Sequence, residues 1–468
     1  MADRVIVLEF NELTPTLMDR FIAEGHLPNF ARLKRESVVA VTRADEEPPH
    51  LEPWIQWVTV HTGLSYNEHQ VYSLNDGPKL KHPRVWDIVS DAGRPIWVCG
   101  SMNAAVSSPD IKGHVLPDPW AADVEAVPRD FYAPYVNLVR AYVQEHTNDR
   151  PPVSRGDLLR FGRFMAANGL SLKTAAATVA QLASERRSDT RWRRASILDR
   201  LQWDLFRANY KRLKPAFSTF FLNSTAHYQH YHWREMEPGA FTLKPEEAER
   251  DRLGDAILYG YQQMDEIVGE CLELAKDGAT IVLCTALGQQ PLTAYEDEGG
   301  KQVFRLFDPA RTLSAAGVTE RYEHRPVMAE EFQLKFDSAE AAETSLARIM
   351  ALTMDDGRTL FSGHREEDVV LLRCAIIRPP PEAALIVVPG RNQPEPFYKH
   401  FYPLESIKSG GHHPDGIFWV RTPRKVHKEI ERKLSLQEIA PTLLALCHVD
   451  EPPGFTHKPT PEIVAAAA

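Results

Sequence analysis

Cysteine is scarce, five residues in 468, scattered at Cys99, Cys271, Cys284, Cys374 and Cys447. An odd number with no Cys-x-x-Cys pair excludes a disulfide framework and a zinc knuckle. Several stand in apolar runs such as Ile281-Val282-Leu283-Cys284, so they read as reduced core thiols of a cytoplasmic protein. Long apolar runs are missing as well. None reaches the roughly 18 to 20 continuous apolar residues of a membrane span. The opening Met1-Ala2-Asp3-Arg4 runs into Val5-Ile6-Val7-Leu8 and then Glu9, too short and too soon acidic for a signal peptide. Positive charge is in deficit: 54 Lys and Arg against 64 Asp and Glu leave a net charge of -10. That balance argues against bulk nucleic acid or an anionic membrane as partner, unless a local basic patch overrides it. Low-complexity segments and internal repeats are absent too.

What is present is the composition of a soluble globular protein, 43% hydrophobic and 25% charged, long enough for one large α/β core with insertions. Short apolar runs alternate with helical patterns. Val5–Leu8 reads as a strand buried on both faces of a parallel sheet and Thr280–Cys284 as another buried strand, with Ile96–Cys99 and the run ending in Phe220-Phe221-Leu222 as further strands. Pro15 opens a helix after the first of them, and 245–277 reads as one long amphipathic helix. In such sheets ligands gather beyond the carboxyl ends of the strands, which makes the acidic residues Glu9 and Glu12 site candidates. After Phe220-Phe221-Leu222 the chain carries His227, His230, His232 and Trp233 within seven positions. Neutral imidazole is the commonest protein ligand for zinc, and His227 and His230, spaced i and i+3, share a face if the segment is helical. His232 and Trp233 also suit a packing role.

This segment resembles the Asp-x-x-x-His-x-x-Trp-Arg stretch of the alkaline phosphatase superfamily, particularly its type I phosphodiesterase/nucleotide pyrophosphatase branch. Gly25-His26-Leu27-Pro28-Asn29-Phe30, Trp57 with Thr62-Gly63, Ser409-Gly410-Gly411-His412-His413-Pro414-Asp415-Gly416 and Leu436-Gln437-Glu438-Ile439-Ala440-Pro441-Thr442-Leu443-Leu444 are similar to further family segments, in family order. The resemblance implies a doubly wound α/β/α sandwich, phosphoester hydrolysis and two zinc ions. It carries the family's zinc histidines onto His230 and His412, and it sets Glu9 where the first strand ends in a metal-binding Asp. Other positions depart from it. Ala226 stands at the Asp of the His segment, Pro53 at the Thr or Ser nucleophile, and Ala286 and Leu287 at the Asp and His of the second zinc. The Gly-x-His-x-Pro-x-Gly similarity makes the His412 segment a turn, and Ser-Asp-His-Gly does the same for the segment before Gln289.

The expected division is an alkaline phosphatase-like core of residues 1–128, 216–303 and 400–455, a helical insertion at 129–215 capping the site, an α+β insertion at 304–399, and a flexible tail at 456–468. The arginines of the helical insertion suit either an anion-binding wall or a solvated face paired with acids. Two readings of function follow. In one, the chain is a phosphodiesterase- or phosphatase-like hydrolase with a remodelled single-metal site. His230, His412 and His227, or His413 in its place, hold zinc or another divalent ion, with Glu9, Glu52 and Gln289 as candidate catalytic residues and Glu9 or Glu52 as base. In the other, it is a pseudoenzyme whose cleft binds a phosphorylated or sugar-like small molecule or a partner protein. A third class, imidazole and carboxylate catalysis without metal, stays open, and neither nucleic acid nor membrane is expected as partner.

Overall fold

The structure, a computed structural model, describes residues 4–108, 110–121, 123–144, 153–328, 331–390, 393–404 and 406–468. Residues 145–152 of the helical insertion and the first three residues of the chain lie outside them.

Val5–Phe10 is buried along its whole length, as its apolar run requires. Its side chains alternate between two cores: Ile6, Leu8 and Phe10 enter one, Val5 and Val7 the other. It lies between two parallel neighbours, Phe217–Leu222 and Thr280–Cys284. The nine-stranded sheet runs in the order Lys428–Glu429, Val38–Arg43, Asp415–Arg421, Thr280–Cys284, Val5–Phe10, Phe217–Leu222, Ile96–Cys99, Gly113–Leu116, and Leu434–Ser435 also pairs with Val38–Arg43. Asp415–Arg421 is antiparallel to both its neighbours. The helices Pro15–Ala23, Pro28–Arg35, Arg194–Leu213 and Ala256–Leu274 cover one face, and Pro53–Thr62, Val85–Asp91, Ile439–Leu446 and Pro461–Ala467 the other. The protein is an α/β/α sandwich.

Register brings the site together. Phe10 lies opposite Leu222 and Glu9 opposite Cys284, so three parallel strands end at one edge and release Asn11-Glu12, Asn223-Ser224 and Thr285-Ala286 side by side. The antiparallel strand starts at that same edge, with Asp415 opposite Arg43, so the chain before it delivers His412 there.

The insertions depart from expectation in places. The last helix of 129–215, Arg194–Leu213, belongs to the sandwich, because Trp203, Phe206 and Tyr210 are buried in the same core as Leu8. Several of its arginines face acids: Arg194 pairs with Glu185, and Arg200 and Arg207 with Glu270. The 245–277 helix is broken, since Glu247–Leu253 stops at Gly254 and Ala256–Leu274 starts anew. A Cβ at Gly254 would sit 2.8 Å from Arg250 O and 3.4 Å from Glu235 O. In 304–399 a four-stranded antiparallel sheet and the helix Ala339–Met350, capped by Ser338, share a core of their own. Residues 456–468 are not a loose tail. Pro461–Ala467 is a helix whose Ile463 is buried against the sheet, and Thr422 Oγ1 donates to Ala466 O at 3.1 Å.

Candidate metal centre

The turn after the first strand puts Glu12 in the left-handed region at φ 60, a conformation that costs a non-glycine residue about 1 kcal/mol or more. Its backbone is tied down on both sides. Glu12 N donates to Thr285 O at 3.3 Å, and Gln229 Nε2 donates to Glu12 O at 2.8 Å. Gln229 Oε1 in turn accepts from Tyr261 OH at 2.9 Å, and Tyr261 OH accepts from Thr14 N at 2.8 Å. The Glu12 side chain is buried and strongly solvated by protein. Asn11 Nδ2 donates to Oε1 at 2.7 Å and Gln289 Nε2 to Oε2 at 2.5 Å. Asn11 is itself oriented by Trp57, whose Nε1 donates to Asn11 Oδ1 at 2.8 Å.

Two imidazoles face this carboxylate. His230 lies on the helix Ser224–Met236, and His412 on the short strand Gly410–His413, which pairs antiparallel with Gly288–Pro291. Both segments expected as turns are therefore one two-stranded ladder, with His412 directly opposite Gln289. His230 Nε2 is 3.2 Å and His412 Nε2 3.5 Å from Glu12 Oε2, and the rings meet edge to face at 5.2 Å. Ligand atoms of Glu12, His230 and His412 all lie within 4.8 Å of one another.

The outer nitrogen of His230 settles its tautomer. His230 Nδ1 lies 2.9 Å from Gly410 O, a carbonyl that can only accept, so Nδ1 carries the proton and the Nε2 lone pair points at Glu12. The His412 ring bonds the Leu51 backbone, and its Nδ1 faces Glu52 Oε2 at 3.5 Å. Burial holds both imidazoles toward the neutral form: His412 is pushed down to about 4, and His230 is lowered by burial and by the nearby Lys408 ammonium. Burial on its own would raise the Glu12 carboxyl, but His412, His230 and the Gln289 amide outweigh it and hold it at about 2. At neutral pH the His230 Nε2 lone pair, a neutral His412 imidazole and an anionic oxygen converge, an arrangement that a cation would stabilise. The donor set therefore fits a divalent ion: two histidines and a carboxylate, with an outer imidazole N–H committed to a backbone carbonyl. The imidazoles keep 16% and 15% exposure while Glu12 keeps 2%, so the centre is open on the histidine side.

Of the residues singled out in the sequence, His230, His412, Gln289 and Glu52 meet here. Glu9 does not. It points to the opposite face of the strand, where His61 Nε2 lies 2.8 Å from Oε1 and Ser101 Oγ donates to Oε2 at 2.5 Å. His227 stands outside the three-residue group, its ring 5.0 Å from that of Tyr231, and His413 Nδ1 accepts from Asp415 N at 3.1 Å. Glu12 is the candidate ligand that sequence reasoning did not single out from the acids at the strand end, and Lys408 the cation it passed over. Parity along the strand was the available signal: Glu9 shares a face with Val5 and Val7.

Residues 5–312 match the type I phosphodiesterase / nucleotide pyrophosphatase family, about two thirds of the chain. The chain belongs to that family. Three members of the centre, Glu12, His230 and Gln289, fall within the matched residues of this phosphodiesterase-family protein, and His412 lies beyond them. No curated protein matches it in sequence. Among solved structures it is similar to phosphonoacetate hydrolase from Sinorhizobium meliloti in complex with phosphonoformate, at 12% identity over 96% of each chain with a TM-score of 0.45. The same hydrolase in complex with phosphonoacetate gives 12% and 0.44. Murine ectonucleotide pyrophosphatase/phosphodiesterase 5, an inactive variant in complex with AMP, gives 9% identity over 99% of this chain and 98% of that one, with a TM-score of 0.42. In this family member Ala286 and Leu287 are wholly buried and offer no ligand atom, and Pro53 begins the helix Pro53–Thr62 without a nucleophilic atom.

Proposed function

We propose that this protein hydrolyses a small phosphoester with one divalent ion, best suited to zinc, held by Glu12, His230 and His412. The observation that carries the reading is the convergence of those three ligand atoms with the His230 outer nitrogen already committed to Gly410 O. A bound ion supplies Lewis-acid polarisation of a phosphoryl oxygen and makes a water more acidic. The side chains supply the rest. Gln289 and Asn11 each occupy one Glu12 oxygen and fix the carboxylate in place. Glu52 stands at the free N-terminus of the helix Pro53–Thr62, close to His412 and partly exposed, where it can take a proton from water. Lys408 brings positive charge toward an anionic substrate. With Pro53 at the nucleophile position, water rather than a side chain attacks phosphorus, and no covalent phosphoryl-enzyme forms.

The buried core thiols of Cys99, Cys271 and Cys284 suit a reducing compartment, and we place the protein in the cytoplasm on that ground. Among the described residues no helix is long and apolar enough to cross a membrane.

The test is metal analysis of untagged protein, with turnover of bis-p-nitrophenyl phosphate and p-nitrophenyl phosphate. About one ion per chain, lost together with turnover in His230→Ala and Glu12→Gln, is the expected result. Bound metal without turnover of either ester would leave a ligand-binding protein. Full turnover in metal-free protein, or in His230→Ala, would overturn the single-ion mechanism.

A further inference from the structure

Exposed large hydrophobic side chains are concentrated in one region. Six of the nine among the described residues lie between Tyr142 and Leu182, and the three most exposed are Leu172 at 90%, Val179 at 68% and Leu159 at 63%. Two successive helices carry most of them, Arg155–Ala167 and Leu172–Ser184. On the second, exposed Leu172, Ala176, Val179, Ala180 and Ala183 fall at i, i+4, i+7, i+8 and i+11, an apolar stripe turned away from the protein. Its inward side is held by Thr174 and by the packing of this helix against Arg194–Leu213.

The stretch of chain that carries the stripe has a charge of the opposite sign to the molecule as a whole. From Val153 to Arg191 there are seven basic and three acidic side chains, in a chain whose net charge is -10. The three acids are already paired: Asp157 with Arg160, Glu185 with Arg194, and Asp189 with Arg252. Arg155, Arg163, Arg186 and Arg187 are exposed and form no ion pair with the other described residues. No acidic residue occurs between Leu172 and Ser184. Small aliphatic side chains flanked by unpaired arginines suit an interfacial helix, in which the apolar stripe enters the acyl boundary and the guanidinium groups reach lipid headgroups. A protein partner would more commonly be met by aromatic anchors, and neither of these two helices carries an exposed aromatic, the half-exposed Tyr142 lying on the helix before them.

We propose that the helices Arg155–Ala167 and Leu172–Ser184 dock this protein on an anionic lipid surface. The contact is peripheral and reversible, since the aliphatic area is small and the molecule as a whole is repelled by negative charge. It is independent of the hydrolytic reading, because none of its residues belongs to the metal centre.

Sedimentation of the full-length untagged protein with vesicles tests it. The protein should pellet with an equal mixture of phosphatidylcholine and phosphatidylglycerol, remain in solution with phosphatidylcholine alone, and be released by high salt. Reversing two basic charges in Arg186→Glu with Arg187→Glu should weaken binding by roughly 20-fold or more. Leu172→Asp with Val179→Asp should weaken it by roughly tenfold or more. These side chains are exposed, so both variants should keep the parent's unfolding transition, and Leu172→Ser with Val179→Ser serves if the aspartates do not. Absence of binding to the mixed vesicles would overturn the proposal. So would binding that both pairs of substitutions leave intact, or a dimer in analytical ultracentrifugation that Leu172→Asp dissolves, which would assign the face to a second copy of the chain.

Discussion

One edge of the central sheet carries two opposite environments a few residues apart. On one side Glu12, His230, His412 and Gln289 form a hydrogen-bonded polar cluster, with both imidazoles partly open to solvent. On the other, Ala286 and Leu287 are fully buried in the apolar core with Trp57 and Phe221, although Ala286 keeps the left-handed backbone, φ 56, of a tight turn. The backbone frame is common to both sides, so the difference lies in side-chain chemistry. It teaches that a strand-edge turn is a place for ligands and not itself a ligand site. Where methyl and isobutyl groups fill it, the turn becomes core. Where a carboxylate and imidazoles fill it, each member needs partners for its outer atoms, and the Asn11, Gln289 and Gly410 contacts supply them.

The comparison is broken most directly from the polar side. Glu12→Ala removes the only charged ligand of the proposed ion, and hydrolysis should fall on the order of a thousandfold with loss of bound metal. Steady-state rates and metal content check it, and unchanged values of both would remove Glu12 from the centre. The apolar side is probed by Leu287→Asp. If that half is truly core, the new carboxylate finds no counter-ion and costs about 3 to 5 kcal/mol in denaturant unfolding, with no second ion gained. A smaller effect is expected from Gly410→Ala. A Cβ there would lie 2.2 Å from Gln229 O and 2.5 Å from Gln289 Oε1, displacing the carbonyl that orients His230. Metal affinity should drop by about 10- to 100-fold, measurable by competition with a chelator.

The pH dependence separates the halves more gently. In metal-free protein the His412 imidazole sits at about 4 instead of 6.5, chiefly through burial. The unfolded chain therefore binds the extra proton first, and stability that is full above about 6.5 is lost as pH falls through about 4. Glu12, held at about 2, adds a further loss below about 4.5, its ordinary value. Thermal unfolding from pH 7 to 4 should show this decline, and His412→Asn should flatten it. A parent and variant with the same pH profile would contradict the buried neutral imidazole.

Much of the fold was legible beforehand because burial on both faces leaves an unambiguous apolar run, as in Val5–Leu8 and Thr280–Cys284. The His segment was legible because imidazoles are rare and clustered. Glu9 and Glu12 were harder to separate, since both are acids near one strand end and only the three-dimensional side of the sheet distinguishes them. Glu9 shares the face of Val5 and Val7 and joins His61 and Ser101, while the left-handed turn carries Glu12 over the edge toward His230. The pairing of Gln289 with His412 was invisible, because both segments resemble turns and are more than a hundred residues apart.

Sequence alone determined that this chain folds as layered α/β, that its strand ends carry the polar chemistry, and that Pro53, Ala286 and Leu287 cannot ligate or attack, since the atoms themselves are missing. Which carboxylate meets the two imidazoles was decided only by tertiary structure. Strand order, register and one left-handed turn set those distances, and each depends on contacts between residues far apart in the chain.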